Sequence, residues 1–243
     1  MTHIYKWLLL IACFGVRALA SAEPIFHEKH YPTNSTGPVP AVIALHSSGG
    51  YATITRKVDA FTAAGYAVYT PDFFKKHGIT TSTRFDTWTV YRKDIEQELT
   101  EIVQLMKNDP RIDPHNIFAV GYSNGGYWTA YLSAQGIVNA GVSHYGVWDF
   151  PGNTDGYPAH YFSPTSHPLL TLIGLTDGTQ KYERVAPQVE IAKQRSPAMQ
   201  VQTYDAGHGW DCAPCKGEYV RNDAVTADAL AKTLAFFKAN TKQ

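Results

Sequence analysis

Short apolar runs alternate along this chain with segments whose apolar residues recur every three or four positions. The runs Ala41 to Leu45, Ala67 to Thr70, Ile117 to Val120, Ala140 to Tyr145, Leu169 to Ile173 and Met199 to Tyr204 read as six buried strands. Between them lie helical patterns. One spans about Ile54 to Ala64, with Val58 and Phe61 on one face and Gly65 placed to end it. A longer one ends near Lys107, where Ile95, Leu99, Ile102, Val103 and Met106 share a face and Asn108-Asp109-Pro110 stops the helix. Tyr127 to Ser133 reads as a third, a fourth begins near Gln180, and the last carries Ala227, Leu230, Leu234 and Phe237 on one side. Residues 73–88 are irregular and aromatic. Strands alternating with helices predict a mostly parallel sheet with helices on its faces, the α/β class. No repeat or linker divides residues 23–243, which read as a single domain.

The N-terminus follows a different rule. Lys6 precedes an apolar run from Trp7 to Val16, and Ala18-Leu19-Ala20-Ser21-Ala22 offers small-residue cleavage sites, so residues 1–22 read as a signal peptide cut after Ala20 or, preferably, Ala22. The run is too short for a bilayer core that needs about 20 residues, so no stable membrane insertion is expected. Leu10-Ile11-Ala12-Cys13 is similar to a lipoprotein box, although its hydrophobic stretch is short for one. Export to the periplasm or the medium is the expectation. Loss of the leader leaves Cys212 and Cys215, which in an exported protein read most simply as one disulfide. A redox-labile pair or two free thiols remain open. Zinc would need four ligands, and there is no second pair.

Charge and composition narrow the classes further. The chain carries 21 Lys+Arg against 21 Asp+Glu, so it has no electrostatic footprint for a phosphate backbone and no nucleic-acid partner is expected. Apolar residues at 44% supply enough core for a domain of this length without a metal scaffold.

Gly121-Tyr122-Ser123-Asn124-Gly125 carries the chemistry. An apolar strand ends at Val120 and a helical segment follows Gly126, the context in which G-x-S-x-G forms a sharp strand-to-helix bend. Glycines two positions either side of Ser123 remove side chains that would collide at such a bend, and the serine hydroxyl is lifted above the carboxyl edge of the sheet. A serine needs a base, and the base needs an orienting carboxylate. Asp177 follows the strand Leu169 to Ile173, and His208, flanked by Gly207 and Gly209, follows Met199 to Tyr204. The order Ser123, Asp177, His208 is the one this bend predicts. Asp205 competes for the carboxylate role, and a helix-capping role competes for Asp177. Two backbone amides must stabilise the oxyanion. Asn124 should supply one, and the loop His46-Ser47-Ser48-Gly49-Gly50 the other, with Ser48 preferred over Ser47 or Gly49. His46 is expected to bond within that loop.

Together with Tyr69-Thr70-Pro71-Asp72, these motifs resemble the dienelactone hydrolase family of α/β-hydrolases over about residues 38–240. The resemblance implies a sheet of about eight mostly parallel strands flanked by helices, no large lid domain, and no metal or organic cofactor. It also marks departures. Ser123 stands where the family proper has a cysteine nucleophile, and Ser47 stands where it has a glutamate. Cys212 replaces an arginine that holds the substrate carboxylate, for which Arg84 or Arg92 are the available substitutes. These departures point to a serine carboxylesterase acting on a small-molecule or polymeric ester. The Ser-Asn-Gly-Gly core is also similar to feruloyl and polyhydroxyalkanoate esterases. Tyr51, Tyr122, Trp148 and Trp210 lie near the same sheet edge and are expected to line the substrate pocket, unless they pack beneath the loops. Three other functions use the same residues differently: an acyltransferase, a silent binding protein, and a thiol–disulfide protein acting through its cysteines.

Overall fold

The computed structural model describes residues 24–152, 154–213 and 219–243. The proposed leader and Cys215 lie outside the described residues. Seven strands form one sheet: β1 (His27–His30), β2 (Val39–Leu45), β3 (Ala67–Pro71), β4 (Ile112–Tyr122), β5 (Ala140–His144), β6 (Leu169–Gly174) and β7 (Met199–Tyr204). Their spatial order is β1-β3-β2-β4-β5-β6-β7, parallel throughout except for β1, which runs antiparallel to β3. The sheet thus has seven strands where about eight were expected. The extra strand beyond the six apolar runs is β1, whose sequence His-Glu-Lys-His is polar because it sits at an edge and buries little.

The central strands bury both faces, which is why they read as continuous apolar runs. On β2, Ala41, Ile43 and Leu45 join the core on one side, and Val42 and Ala44 join the core on the other. The first side is covered by α3 (Arg92–Lys107) and α4 (Asn124–Ala134), with α5 (Tyr182–Arg195) beyond them over β6 and β7. The other side is covered by α1 (Ala52–Thr55), α2 (Val58–Ala63) and the terminal α6 (Asp223–Ala239). Phe237 of α6 stacks on Phe118 of β4 at 4.8 Å between ring centroids and closes on Phe61 of α2 at 6.4 Å. The helix expected over residues 54–64 is broken in two. Lys57 lies at the break, and its ammonium pairs with the Asp211 carboxylate.

The strand order places the chemistry. The chain moves outward from β2 to β3, then crosses back to β4 and proceeds the other way through β5, β6 and β7. Connections leaving β2 and β4 diverge at their carboxyl ends, and a parallel sheet opens a crevice at such a reversal. Ser48 follows β2 and Ser123 follows β4, so both stand at that crevice. No helix among the described residues is long and apolar enough to cross a membrane.

One core histidine has a thermodynamic consequence. His144, at the end of β5, is 3% exposed and lies between Tyr122, 4.7 Å away by centroid, and Trp210. The hydroxyl of Thr233 donates to the Ala229 carbonyl, so its oxygen accepts from His144 Nε2–H and leaves Nδ1 bare. Desolvation pushes the imidazole pKa down to about 3; Lys57 adds to the shift and the Asp211 carboxylate opposes it. An unfolded histidine takes a proton below about pH 6.5, and the folded one refuses it until far lower. Stability on this account is complete near pH 7 and declines as pH falls toward the folded pKa, by about 2 kcal/mol at pH 5. Urea denaturation of His144→Gln at pH 7 and pH 5 should therefore show a smaller loss of stability than the parent protein. Equal losses would mean that His144 is protonated in the fold.

Candidate active site

Ser123 occupies the bend between β4 and α4 with φ 54° and ψ −110°, a region L-residues avoid. Close packing of backbone on backbone sets the bend. A Cβ added at Gly121 would lie 2.0 Å from the Gly125 carbonyl oxygen, and one at Gly125 would lie 2.2 Å from the Leu45 carbonyl oxygen. A Cβ at Gly126 would meet the Gly146 Cα at 2.6 Å. The three glycines of this motif are therefore steric requirements. Hydrogen bonds complete the hold: Ser123 N–H donates to His144 O at 3.0 Å, and Ser123 O accepts from Gly126, Tyr127 and Val147.

The structure brings the three residues singled out by order and loop position into one chain of hydrogen bonds. Ser123 Oγ lies 2.8 Å from His208 Nε2, and His208 Nδ1 lies 2.7 Å from Asp177 Oδ2. A carboxylate only accepts, so Nδ1 carries the proton and Nε2 is free to accept from the serine hydroxyl. The second oxygen of Asp177 accepts from the backbone N–H of Thr179 and Gln180 at 2.8 and 2.7 Å. Asp177 thus caps its own loop while it orients the ring. Gln180 ties that loop to the one after β5: its Oε1 accepts from Trp148 N–H, and its Nε2 donates to Asp149 O. Asp205, the competing carboxylate, is exposed and takes no part.

Ser48 and Asn124 approach one another across the crevice. Asn124 Nδ2 lies 3.5 Å from Ser48 Oγ. Neither backbone N–H is spent on a carbonyl among the described residues. The Ser48 loop is held around that N–H. Ser47 N–H donates to Thr53 Oγ1, Gly49 N–H to Ser47 Oγ, and Gly50 N–H to Ser47 O. His46 bonds within the loop through Nδ1 to Ser47 O at 2.8 Å, and its ring stacks on Phe73 at 3.8 Å. The Asp72 carboxyl, 3.6 Å from His46 Nε2, is held below its ordinary range by His46 and by the backbone N–H of Lys75 and Phe74, against the opposing cost of burial.

Of the four aromatic rings expected at the pocket, only Tyr51 lines an opening. It borders a groove of about 400 Å³ with Gly49, Gly50, Phe74, Lys75 and Thr81. Tyr122, Trp148 and Trp210 are 4%, 1% and 0% exposed and belong to the core. Tyr122 is the last residue of a buried strand and turns toward the face shared with Tyr145. Trp148 is fixed by Thr171 Oγ1 and Phe162, and Trp210 packs against Tyr145 and Tyr204. Arg84 is committed to the Thr81 carbonyl and to the Phe85 ring, and Arg92 donates to Asp155 O.

Sequence reasoning passed over the support behind His208. Tyr145, at φ 37°, sets its ring edge against the imidazole at 5.0 Å and donates its hydroxyl to Asp211 Oδ1 at 2.5 Å. Asp211 pairs with Lys57, whose ammonium also lies 4.1 Å above the Tyr122 ring. Burial raises the Asp211 pKa, but Lys57 and the Tyr145 hydroxyl outweigh it and keep the carboxyl below its usual range. The signal available was Asp211 itself, a carboxylate three residues after His208. Among the described residues, no cluster of His, Cys, Asp or Glu could hold a metal ion.

The packing at the bend generates a direct test. Gly125→Ala would drive a methyl group into the Leu45 and His46 carbonyls, both backbone atoms that cannot rotate away. We expect a loss of about 1–3 kcal/mol or more in urea denaturation. Ester turnover should fall with it, because the Ser48 loop moves with β2. A variant of parental stability would mean that the contact is looser than the structure indicates.

With this geometry in hand, the comparisons with known proteins are informative. The model of the dienelactone hydrolase family matches residues 29–241. Solved structures of similar fold include a putative dienelactone hydrolase from Klebsiella pneumoniae subsp. pneumoniae MGH 78578, at 18% identity over 87% of this chain and 92% of that one, with TM-score 0.71. A dienelactone hydrolase-like promiscuous phosphotriesterase from metagenomic libraries is 16% identical over 89% and 92%, with TM-score 0.75. The apo form of Thermogutta terrifontis esterase 2 is 16% identical over 86% of each chain, with TM-score 0.63. No curated protein sequence matches the chain. The family match runs from β1 to the last turn after α6, and the protein belongs to the dienelactone hydrolase family of ester hydrolases, built on an α/β-hydrolase fold.

Proposed function

We propose that this protein is an exported esterase in which Ser123 is the nucleophile, His208 the general base and Asp177 the group that orients the base. The observation that carries the reading is the unbroken chain Asp177–His208–Ser123 ending on a strained bend at the crevice. His208 Nε2 takes the proton as Ser123 Oγ attacks the ester carbonyl, and Asp177 stabilises the resulting imidazolium. The N–H groups of Ser48 and Asn124 receive the negative charge that builds on the carbonyl oxygen. Collapse of this intermediate expels the alcohol, which takes the proton back from His208, and leaves the acyl group on Ser123. Water then attacks the acyl-enzyme with His208 again as base, releasing the acid and restoring the hydroxyl.

Substrates on this reading are small-molecule esters, with aryl esters and polyesters extending from the site. The groove beside the Ser48 loop is lined by Tyr51, Phe74 and Lys75 and by none of Ser123, His208 or Asp177, so on this reading it would take only the part of an ester that extends past the reacting carbonyl. The leader-like residues 1–22 support export, and Cys212 with Cys215 would then be joined as a disulfide on the loop that follows His208.

Fluorophosphonate labelling tests the nucleophile. Thermogutta terrifontis esterase 2, of similar fold, is known phosphonylated by sarin. The probe should attach at Ser123 and abolish hydrolysis of p-nitrophenyl acetate. Ser123→Ala should lower kcat by roughly 10⁴-fold or more while the thermal transition stays in place. Undiminished turnover by a purified, folded Ser123→Ala protein would rule this nucleophile out. Transfer of the acyl group to added alcohols in preference to water would instead identify an acyltransferase.

A further inference from the structure

The two residues whose amides face the crevice belong to separate elements, and one short segment touches both. Residues 81–87 follow β3 and the groove and lead toward α3. At one end, the Thr81 hydroxyl donates to the Ser48 carbonyl at 2.9 Å. At the other, Thr87 Oγ1 accepts from Asn124 Nδ2 at 3.1 Å. Two bonds brace the segment internally. The Thr87 hydroxyl donates to the Arg84 carbonyl at 2.7 Å, and the Arg84 guanidinium donates to the Thr81 carbonyl at 2.9 Å.

The chemistry of each contact explains what it fixes. Ser48 has its N–H in one peptide plane and its C=O in the next. Thr81 holds the second plane, and the Thr53 bond to Ser47 holds the residue before it, so the N–H between them has little freedom. Asn124 and Thr87 are both fully buried, and Asn124 Oδ1 finds no partner among the described residues. Its Nδ2 therefore anchors the side chain, through Thr87 and more distantly through Ser48. With the side chain fixed, the first turn of α4 is fixed, and so is its leading N–H.

We propose that residues 81–87 act as a bracket that sets the distance between the two oxyanion donors, with Thr87 and Thr81 as its positioning residues. This rests on Ser48 and Asn124 being those donors, as the proposed function has them. The reason for a bracket is the steep dependence of oxyanion stabilisation on donor placement. A displacement of 1 Å can cost about 10²-fold in rate, and β2 and β4 alone fix strand register without fixing the loops beyond them. Neither threonine is placed to touch the reacting atoms. Each acts through the residue it holds.

Thr81→Val and Thr87→Val remove the two hydroxyls with little change of shape, and Thr87→Ser keeps the hydroxyl. We expect kcat for p-nitrophenyl acetate to fall about ten-fold in each valine variant, a fraction of the 10²–10³ lost with a whole oxyanion donor. KM should stay within two-fold in Thr87→Val, whose threonine does not line the groove. The inhibition constant of an aryl trifluoromethyl ketone, whose adduct with Ser123 carries the oxyanion, should rise by the same factor as kcat falls. Thr87→Ser should restore both. Thr81 is exposed, so its variant reports even if Thr87→Val does not fold. Parental kcat and inhibitor affinity in folded Thr81→Val and Thr87→Val would overturn the bracket. A rise in KM at constant kcat in Thr87→Val would overturn it too, by assigning that threonine to substrate binding. Failure of the underlying reading looks different: the parent protein itself would then bind the trifluoromethyl ketone no better than the matching methyl ketone.

Discussion

The bend at Ser123 is the constraint from which the rest of the site is built. A serine at φ 54° and ψ −110° costs of order 1–3 kcal/mol, and such a conformation persists only where its surroundings over-determine it. Here they do. Three donors converge on the Ser123 carbonyl, its N–H is tied to β5, and the backbones of β2, β4 and α4 meet at distances that admit no side chain. Because Gly125 rests on the carbonyls of Leu45 and His46, the bend and the Ser48 loop are parts of one packed unit. Ser123 and the facing Ser48 loop are therefore registered to each other by the packing itself. Strain spent at one residue fixes the positions of two.

Charge is distributed around this unit in layers. Ser123, His208 and Asp177 are each under a tenth exposed, so the electrostatics of the site act with little screening from water. The innermost layer holds one carboxylate, directly hydrogen-bonded to the imidazole. Behind the ring, Tyr145 interposes its own aromatic edge before the Lys57–Asp211 pair. Those two charges compensate each other, and the pair ties the loop that carries His208 to the segment between α1 and α2. His144 nearby stays neutral for the same reason that the pair is needed: burial penalises any charge without a partner. Asp177 is thus the carboxylate bonded directly to the His208 imidazole.

The parts of this arrangement that could be read from the residue order are those tied to period and punctuation. Five of the seven strands are apolar runs, β7 is an edge strand that mixes polar and apolar residues, and each candidate residue follows a strand at the same edge, so sheet topology brought Ser123, Asp177 and His208 together. Glycine spacing revealed the bend because the fold cannot form it with other residues. The rings were a different matter. Tyr122 and Trp210 stand next to the functional loops in sequence, but strand alternation turns Tyr122 inward, and the positive φ of Gly209 redirects the chain so that Trp210 packs below. Proximity along the chain fixes which edge a residue reaches, not which way its side chain faces. The edge strand β1 was missed because it has little to bury, and the ion pair of Lys57 because its partner lies 154 residues away at Asp211.

The segment after β3 shows why irregular stretches carry so much of what distinguishes one hydrolase from another. It has no periodicity for the eye to follow, and its threonines look like ordinary solvent-facing loop residues. Yet it borders both the groove and the oxyanion loop: Thr81 lines the first and holds the second. A substitution that reshapes the groove therefore risks shifting the Ser48 peptide as well. On the proposed reading, one exposed hydroxyl on this side of the site would couple substrate choice to rate. On the other side, Asp177 and Gln180 lock the acid loop by separate bonds, so that half of the machinery is insulated from the groove. The bend fixes where Ser123 stands, and residues 81–87 touch the groove, the Ser48 loop and Asn124 at once, so a change in any one of them is felt by the other two.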